Sequence, residues 1–238
     1  MSSDNRPMTA VVEFQIRPEN TTMEEWLDEW QKRAEDALEF EPETTAYEAC
    51  INEEDPTRVL IFERYSHGHR SLTAHVERPA HAALNETMAA KNMTKRRVFS
   101  NLMADLSGYG WWSRPEVGAV QRDQNMPLIL LDMSFDDDRK RDGFIDISGE
   151  HARYCAEEEP GTLIYSGGVA LNDAKPDAPA QKGNLIFTMA CTDDAAVTKH
   201  AMDPNHVALE ARFNAAGIDV ASSNMLQYRT TGRGFLWK

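Results

Sequence analysis

Apolar and polar positions along the chain follow two periods, and the switches between them predict its elements. Residues 9–17 alternate, with Val12, Phe14 and Ile16 on one face, as a half-buried strand does, and Pro18 closes the run. Thr21 or Thr22 can then cap a helix whose first turn carries Glu24 and Glu25. Trp26, Leu27, Trp30, Ala34, Ala37 and Leu38 keep helical spacing up to Pro42. Residues 44–52 and 58–65 read as strands, joined by a turn at residues 53–56. A short helical turn carries Leu72 and His75. Pro79, tolerated in a first helical turn, opens a second helix to about residue 90. Residues 100–106 and 109–112 supply terminal strand material. The predicted order is β-α-β-β-α-β.

The second half repeats this order. Strands are expected at residues 128–135, 163–171, 184–191 and 224–229, and helices at 143–159 and 205–215, with Asp193 or Asp194 capping a short turn toward His200. The repetition extends to residues: His75-Val-Glu-Arg-Pro-Ala-His81 recurs as His200-Ala-Met-Asp-Pro-Asn-His206. Trp26, Pro42 and Tyr47 meet Phe144, Pro160 and Tyr165; Phe62 and Leu84 then meet Phe187 and Leu209 at a spacing 7 residues longer. The extra residues fall in 172–183, a polar stretch rich in Pro and Ala that reads as a lengthened surface hairpin loop. Ser100-Asn-Leu-Met matches Ser223-Asn-Met-Leu, and Gly108-Tyr-Gly-Trp-Trp matches Gly232-Arg-Gly-Phe-Leu. Two units follow, at residues 8–114 and 128–238, with a linker at 115–127. Each makes a four-stranded antiparallel sheet with both helices on one face, so the other face needs a cover. The expected class is α+β: two ferredoxin-like repeats packed sheet to sheet as an intramolecular α/β barrel.

Composition narrows the partners. The chain has 238 residues, 41% of them hydrophobic, and a formal net charge of -14. That charge repels phosphate backbones and anionic membrane surfaces, so no nucleic acid and no membrane is expected as a partner. The run Lys95-Arg96-Arg97 is too short to reverse this. The start, Met1-Ser-Ser-Asp-Asn-Arg-Pro7, is polar and no apolar leader follows, and Cys50, Cys155 and Cys191 form no Cys-x-x-Cys. A cytoplasmic protein with reduced thiols is expected, as a monomeric pseudo-dimer or a homodimer of it.

Three segments of the first unit, Val59-Leu-Ile-Phe-Glu-Arg-Tyr65, Leu72-Thr-Ala-His75 and Pro79-Ala-His81, resemble the antibiotic biosynthesis monooxygenase domain. Glu41-Pro-Glu-Thr-Thr-Ala-Tyr47 and Glu159-Pro-Gly-Thr-Leu-Ile-Tyr165 are similar to that family's segment after the first helix. The resemblance implies a dimeric α/β barrel with a pocket between the helices and sheet of one unit. It also implies mixed functions: metal- and flavin-free oxygenation of hydroquinones or anthrone-type polyketides, haem cleavage, sugar isomerisation, or none known. It thus supports fold more than chemistry.

Neither a Gly-x-Gly-x-x-Gly after a strand, nor a P-loop, nor a His-Glu-x-x-His occurs, so no cofactor is expected. A cofactor-independent oxygenase works where the substrate, once deprotonated, supplies electrons to O2; the protein supplies an apolar pocket, a base and donors. His75 is the first candidate base or orienting group, His200 its counterpart, and Tyr65 a donor. Phe14, Trp26, Trp30 and Phe62 would wall the first pocket, and Phe144, Tyr165, Phe187 and Met189 the second. Plain structural roles compete with each: aromatics at helical spacing make cores, and His75 and His200 equally cap a turn or bond the backbone. His81 and His206, just inside a helix, read as structural or exposed. The haem-cleaving relatives' asparagine has no match on the first strand, where Glu13, Phe14 and Gln15 stand, although His75 suits an axial role and Tyr65 stands near their tryptophan. No metal site is read: His67-Gly-His69 lacks a completing acid or cysteine, and Asp136-Asp137-Asp138 reads as a solvated strand end. Glu63-Arg64-Tyr65 aligns with Thr188-Met189-Ala190, and Trp30 with Ser148, so one working pocket is expected. The reading is a monooxygenase for a small hydrophobic or aromatic metabolite, or else a non-oxidative binding, isomerase or cyclase barrel.

Overall fold

The computed structural model describes residues 5–172, 180–218 and 223–238, so most of the predicted 172–183 loop lies outside the described residues. The first unit contains β1 (Met8–Ile16), α1 (Met23–Phe40), β2 (Thr44–Asn52), β3 (Arg58–Tyr65), α2 (Gly68–Val76), α3 (Pro79–Ala90) and β4 (Thr94–Asp105). The second contains β5 (Pro127–Met133), α4 (Asp138–Glu158), β6 (Thr162–Ala170), β7 (Leu185–Cys191), α5 (Asp194–Met202), α6 (Pro204–Ala215) and β8 (Ser223–Thr230). Thr22 caps α1 in a reciprocal capping box with Glu25. Among the described residues, no helix is long and apolar enough to cross a membrane.

The strands close one barrel in the order β1-β3-β2-β8-β5-β7-β6-β4, antiparallel throughout. The expected sheet-to-sheet packing is therefore completed at both edges, by β2 on β8 and β4 on β6, which leaves no unpaired edge strand among the described residues. Side chains from both sheets fill the interior, among them Leu60, Phe62, Met103, Leu128, Leu130, Ile186 and Trp237. Within it the buried Glu13 accepts hydrogen bonds from Asn52 (3.1 Å), Tyr228 (3.1 Å) and Arg58 Nε (2.9 Å), so one carboxylate ties three strands of the first unit to β8 of the second. The helices of each unit cover the outer face of its own sheet.

The chain ends of the units cross over. Trp111 pairs with Tyr165 of β6, and Phe235 pairs with Tyr47 of β2. A Cβ on Gly110 would sit 1.7 Å from the Tyr165 carbonyl oxygen, and one on Gly234 1.9 Å from that of Tyr47, so each crossing needs a glycine. Arg114 then donates to Cys155 O and Glu159 O at the end of α4, and Lys238 to Ala37 O and Leu38 O at the end of α1. Each cation thus sits at the C-terminal end of a helix in the other unit, where the helix dipole favours positive charge.

Three expectations on boundaries change. β4 begins at Thr94 rather than at residue 100, so Lys95, Arg96 and Arg97 are exposed positions of a strand that follows β1 through two bulges. α4 begins at Asp138 with Asp137 as its cap, which makes the acidic run a helix start rather than a strand end. The internal alignment also shifts. Tyr47 stands opposite Glu63 and Tyr165 opposite Met189, so Glu63 corresponds to Met189 and Tyr65 to Cys191, one residue later than the sequence match. Ser100 likewise corresponds to Met225, not Ser223. A one-residue slip reverses the face of every side chain in a strand. It follows that Phe62 points into the barrel while Phe187, its supposed counterpart, packs against the helices.

Candidate functional site

A cavity of about 550 Å³ lies between the sheet and helices of the second unit. Met133, Phe144, Phe187, Met189, Leu209 and Phe213 give it apolar walls, and the exposed Val207 and Met225 lie at its rim. Phe144 and Phe213 stack at 4.8 Å, and Tyr165 meets Phe187 edge-on at 4.5 Å. The polar lining converges from five elements and the crossing segment: His200, His206, Glu210, Ser148, Tyr165, Gln227 and Tyr109. Tyr109 OH donates to Ser148 Oγ at 2.8 Å, which donates to Phe144 O at 2.6 Å.

His200 sits in the last turn of α5, where Nδ1 lies 2.8 Å from Glu159 Oε2. A carboxylate only accepts, so Nδ1 carries the proton and Nε2 is left as the acceptor. Thr162 Oγ1 donates to the same carboxylate oxygen at 3.0 Å. Burial works to raise the pKa of Glu159, but hydrogen bonds from His200 and Thr162 outweigh it and hold the group below the ordinary carboxylate value. His151, on α4 behind His200, has Nε2 3.2 Å from Cys155 Sγ. Burial, then the neighbouring His200 and His206, push the His151 pKa down to about 4, and burial with His200 lowers that of His206.

The first unit contains the same arrangement, closed. Nδ1 of His75 lies 2.7 Å from Glu41 Oε2, to which Thr44 Oγ1 donates at 2.7 Å. Arg33 occupies the position of His151, its Nη2 lying 2.5 Å from Glu41 Oε1 and donating to His75 O at 3.1 Å. Burial opposes the ionisation of Glu41, yet His75, Thr44 and Arg33 together bring its pKa down to about 2. Trp30, 1% exposed, stands where Ser148 opens the second unit, and packs on Tyr47 at 4.9 Å.

The candidate residues divide along this line. Phe144, Tyr165, Phe187, Met189 and His200 line one cavity. His75 is 1% exposed and Tyr65 fully buried, with Tyr65 OH donating to Glu63, so both point into packed protein. Trp26, Trp30 and the partly buried Phe14 belong to the same filled core, and Phe62 lies in the barrel interior instead, on the opposite face of β3. No room for a haem macrocycle surrounds His75, enclosed by Tyr47, Tyr65 and Arg33. His206, read as structural or exposed, lines the cavity. His151, Cys155 and Glu159 were not singled out for chemistry. The signal existed, because His151 aligns with Arg33 and Glu159 with Glu41. Another cleft, of about 530 Å³, opens beside Trp237 and Lys238, but its Arg64 and Asp105 pair with each other.

Residues 7–87 match the family model for antibiotic biosynthesis monooxygenases. A search of curated proteins finds no match to the sequence. Among solved structures, the fold is similar to that of a candidate monooxygenase from Lactobacillus acidophilus NCFM, with a TM-score of 0.71 and 13% identity over 98% of this chain and 99% of that one. A candidate monooxygenase from Fusobacterium nucleatum aligns at 0.70 and 11% over 95% and 93%, and an anthrone oxidase-like protein at 0.57 and 12% over 97% and 94%. At such identities these likenesses establish the fold along the whole chain. The first unit thus matches an antibiotic biosynthesis monooxygenase domain over residues 7–87, and the solved structures extend the likeness of fold over the second unit.

Proposed function

We propose that the protein is a monooxygenase-like enzyme whose working site is the cavity of the second unit, with a small hydrophobic or aromatic metabolite such as a quinol, anthrone or other polyketide as substrate. The observation that carries this reading is an apolar cavity with His200 on its wall and Glu159 fixing the tautomer of that histidine. His200 Nε2 takes a proton from an acidic phenol or activated methylene. The resulting anion passes an electron to O2, and the two radicals combine as a peroxide. His200 returns its proton to the peroxide, and loss of water with the remaining hydrogen of that carbon leaves a new carbonyl, one oxygen atom having entered the product and the other having left in water. The substrate supplies the electrons, so no flavin or haem is required. The protein's part is to exclude water and hold the anion in apolar surroundings. A net charge of -14 and three buried free thiols suit a cytoplasmic enzyme.

Oxygen uptake by the purified chain over a panel of quinols and anthrones tests the reading; an expected substrate consumes O2, and a panel that consumes none overturns it. One observation favours a second reading, a non-oxidative binding or isomerase barrel: Tyr109 and Ser148 spend their hydroxyl protons inside the protein, which leaves few donors for an oxyanion. Ligand binding without oxygen uptake would select it.

A further inference from the structure

The two units share one buried cluster and differ in the group at its centre. In the first, the guanidinium of Arg33 sets a fixed positive charge against Glu41. The second keeps the carboxylate, the threonine and both histidines as Glu159, Thr162, His200 and His206, but has His151 in place of Arg33 and Cys155 in place of Ala37. Nothing replaces the lost charge. Glu159 Oε1, His151 Nδ1 and His206 Nδ1 are buried and have no hydrogen-bond partner among the described residues. His81 Nδ1 is likewise unpartnered in the first unit, but there the adjacent guanidinium repels a second cation.

One ring nitrogen from each of His151, His200 and His206 comes within 4.8 Å of the others. Ring centroids lie 4.5 Å apart for His200 and His206, and 5.4 Å from His151 to each. We propose that these three histidines form a binding site for a divalent transition-metal ion of the zinc class, with its open coordination position facing the cavity. Three imidazoles and one open position are the ligand set of catalytic zinc sites. Imidazole donors select zinc, cobalt or nickel over magnesium and calcium. Metal–nitrogen distances of about 2.0–2.1 Å require nitrogens roughly 3.4 Å apart in a tetrahedron, so modest ring rotations close the site.

The surroundings fit. Glu159 holds Nδ1 of His200 and leaves Nε2 for the ion, the carboxylate–histidine–metal arrangement that fixes ligand orientation. Cys155 engages Nε2 of His151 and leaves Nδ1. His200 and His206 line the cavity with His151 behind them, so an ion between the three meets whatever the cavity holds. Its natural ligand is an anionic oxygen, such as a phenolate or enolate. Cys155, Glu159 and His200 also come within 4.8 Å of one another, but that set is wholly buried, and burial opposes loss of the thiol proton.

An ion bound here would take up the Nε2 lone pair that the proposed function uses as a base, and would instead lower the pKa of a bound phenol or enol as a Lewis acid; the test of the site needs neither substrate nor oxygen. The full chain, stripped with a chelator, is titrated with Zn2+ by calorimetry and with Co2+ by visible absorption. Expected are one ion per chain, a raised Tm, and a Co2+ spectrum of nitrogen and oxygen ligation. The double variant His151→Arg/Cys155→Ala, which installs the first unit's residues, abolishes binding while keeping the fold. Glu159→Gln weakens affinity about 10–100-fold, and His81→Gln in the first unit leaves it unchanged. Absence of saturable binding by either ion overturns the proposal. So do binding that survives the double variant and a thiolate-to-cobalt charge-transfer band, which would place the ion at Cys155.

Discussion

The first unit is closed where the second is open, although both fold alike. Each sets a histidine near the end of its first short helix against a glutamate, with a threonine steadying the carboxylate. In the first unit Trp30 and Arg33 occupy the space around this pair; in the second, Ser148 and His151 leave room for a cavity of about 550 Å³. A tryptophan-to-serine difference removes most of a large side chain, and a packed core does not collapse to fill such a gap. The comparison shows that the histidine–glutamate pair is first a structural device, fixing a helix against a strand. On the proposed function it serves chemistry only where the neighbouring wall recedes.

The sharpest test of that division is His200→Gln against His75→Gln. Loss of a general base costs about 10²–10⁴-fold in rate, so turnover per folded molecule falls by that order for His200 alone. His75→Gln lowers stability instead, by about 1.5–3 kcal/mol as a hydrogen bond to a charged group is lost. Oxygen-uptake kinetics beside chemical denaturation separate the two, and equal kinetic losses would end the distinction. Next, Trp30→Ser should open the first unit. Large-to-small core changes of this kind cost about 3–5 kcal/mol, readable as a lower urea midpoint, and the new space should take up an apolar dye that the parent binds only in the second unit. The converse, Ser148→Trp, should close the second unit: ligand or dye binding there weakens at least ~10-fold, with a stability change of about 1–3 kcal/mol from overpacking.

The smallest effect is the response to acid. Glu41 has a folded pKa of about 2 against an ordinary value of 4.5. A depressed carboxylate adds stability that is complete above the unfolded value and lost as pH falls from 4.5 through about 2. Glu159 is lowered as well, so its contribution fades in the same direction. Urea midpoints measured from pH 6 to pH 2 should decline, and Glu41→Gln should flatten part of that decline. An unchanged slope would mean that the buried pair is not ionised.

The sequence alone determined the two β-α-β-β-α-β units, because periods of two and near four, punctuated by Pro18, Pro42 and Pro79, are local properties of the chain. It also determined the pairing of His75 with His200, since a seven-residue motif survives inside the repeat. The second pocket was partly legible too: Phe144, Tyr165, Phe187, Met189 and His200 were named from their positions and share one cavity. Tertiary structure decided the rest. Strand register is set by partners distant in sequence, so Phe62 could be assigned to the pocket when it faces the barrel interior, and Glu63 could be matched to Thr188 rather than Met189. Burial is likewise a sum over neighbours, which is why the first pocket reads as a site and folds as a core. The cluster of His151, His200 and His206 comes from three separate helices, and no local pattern marks side chains that meet only when those helices pack on one sheet.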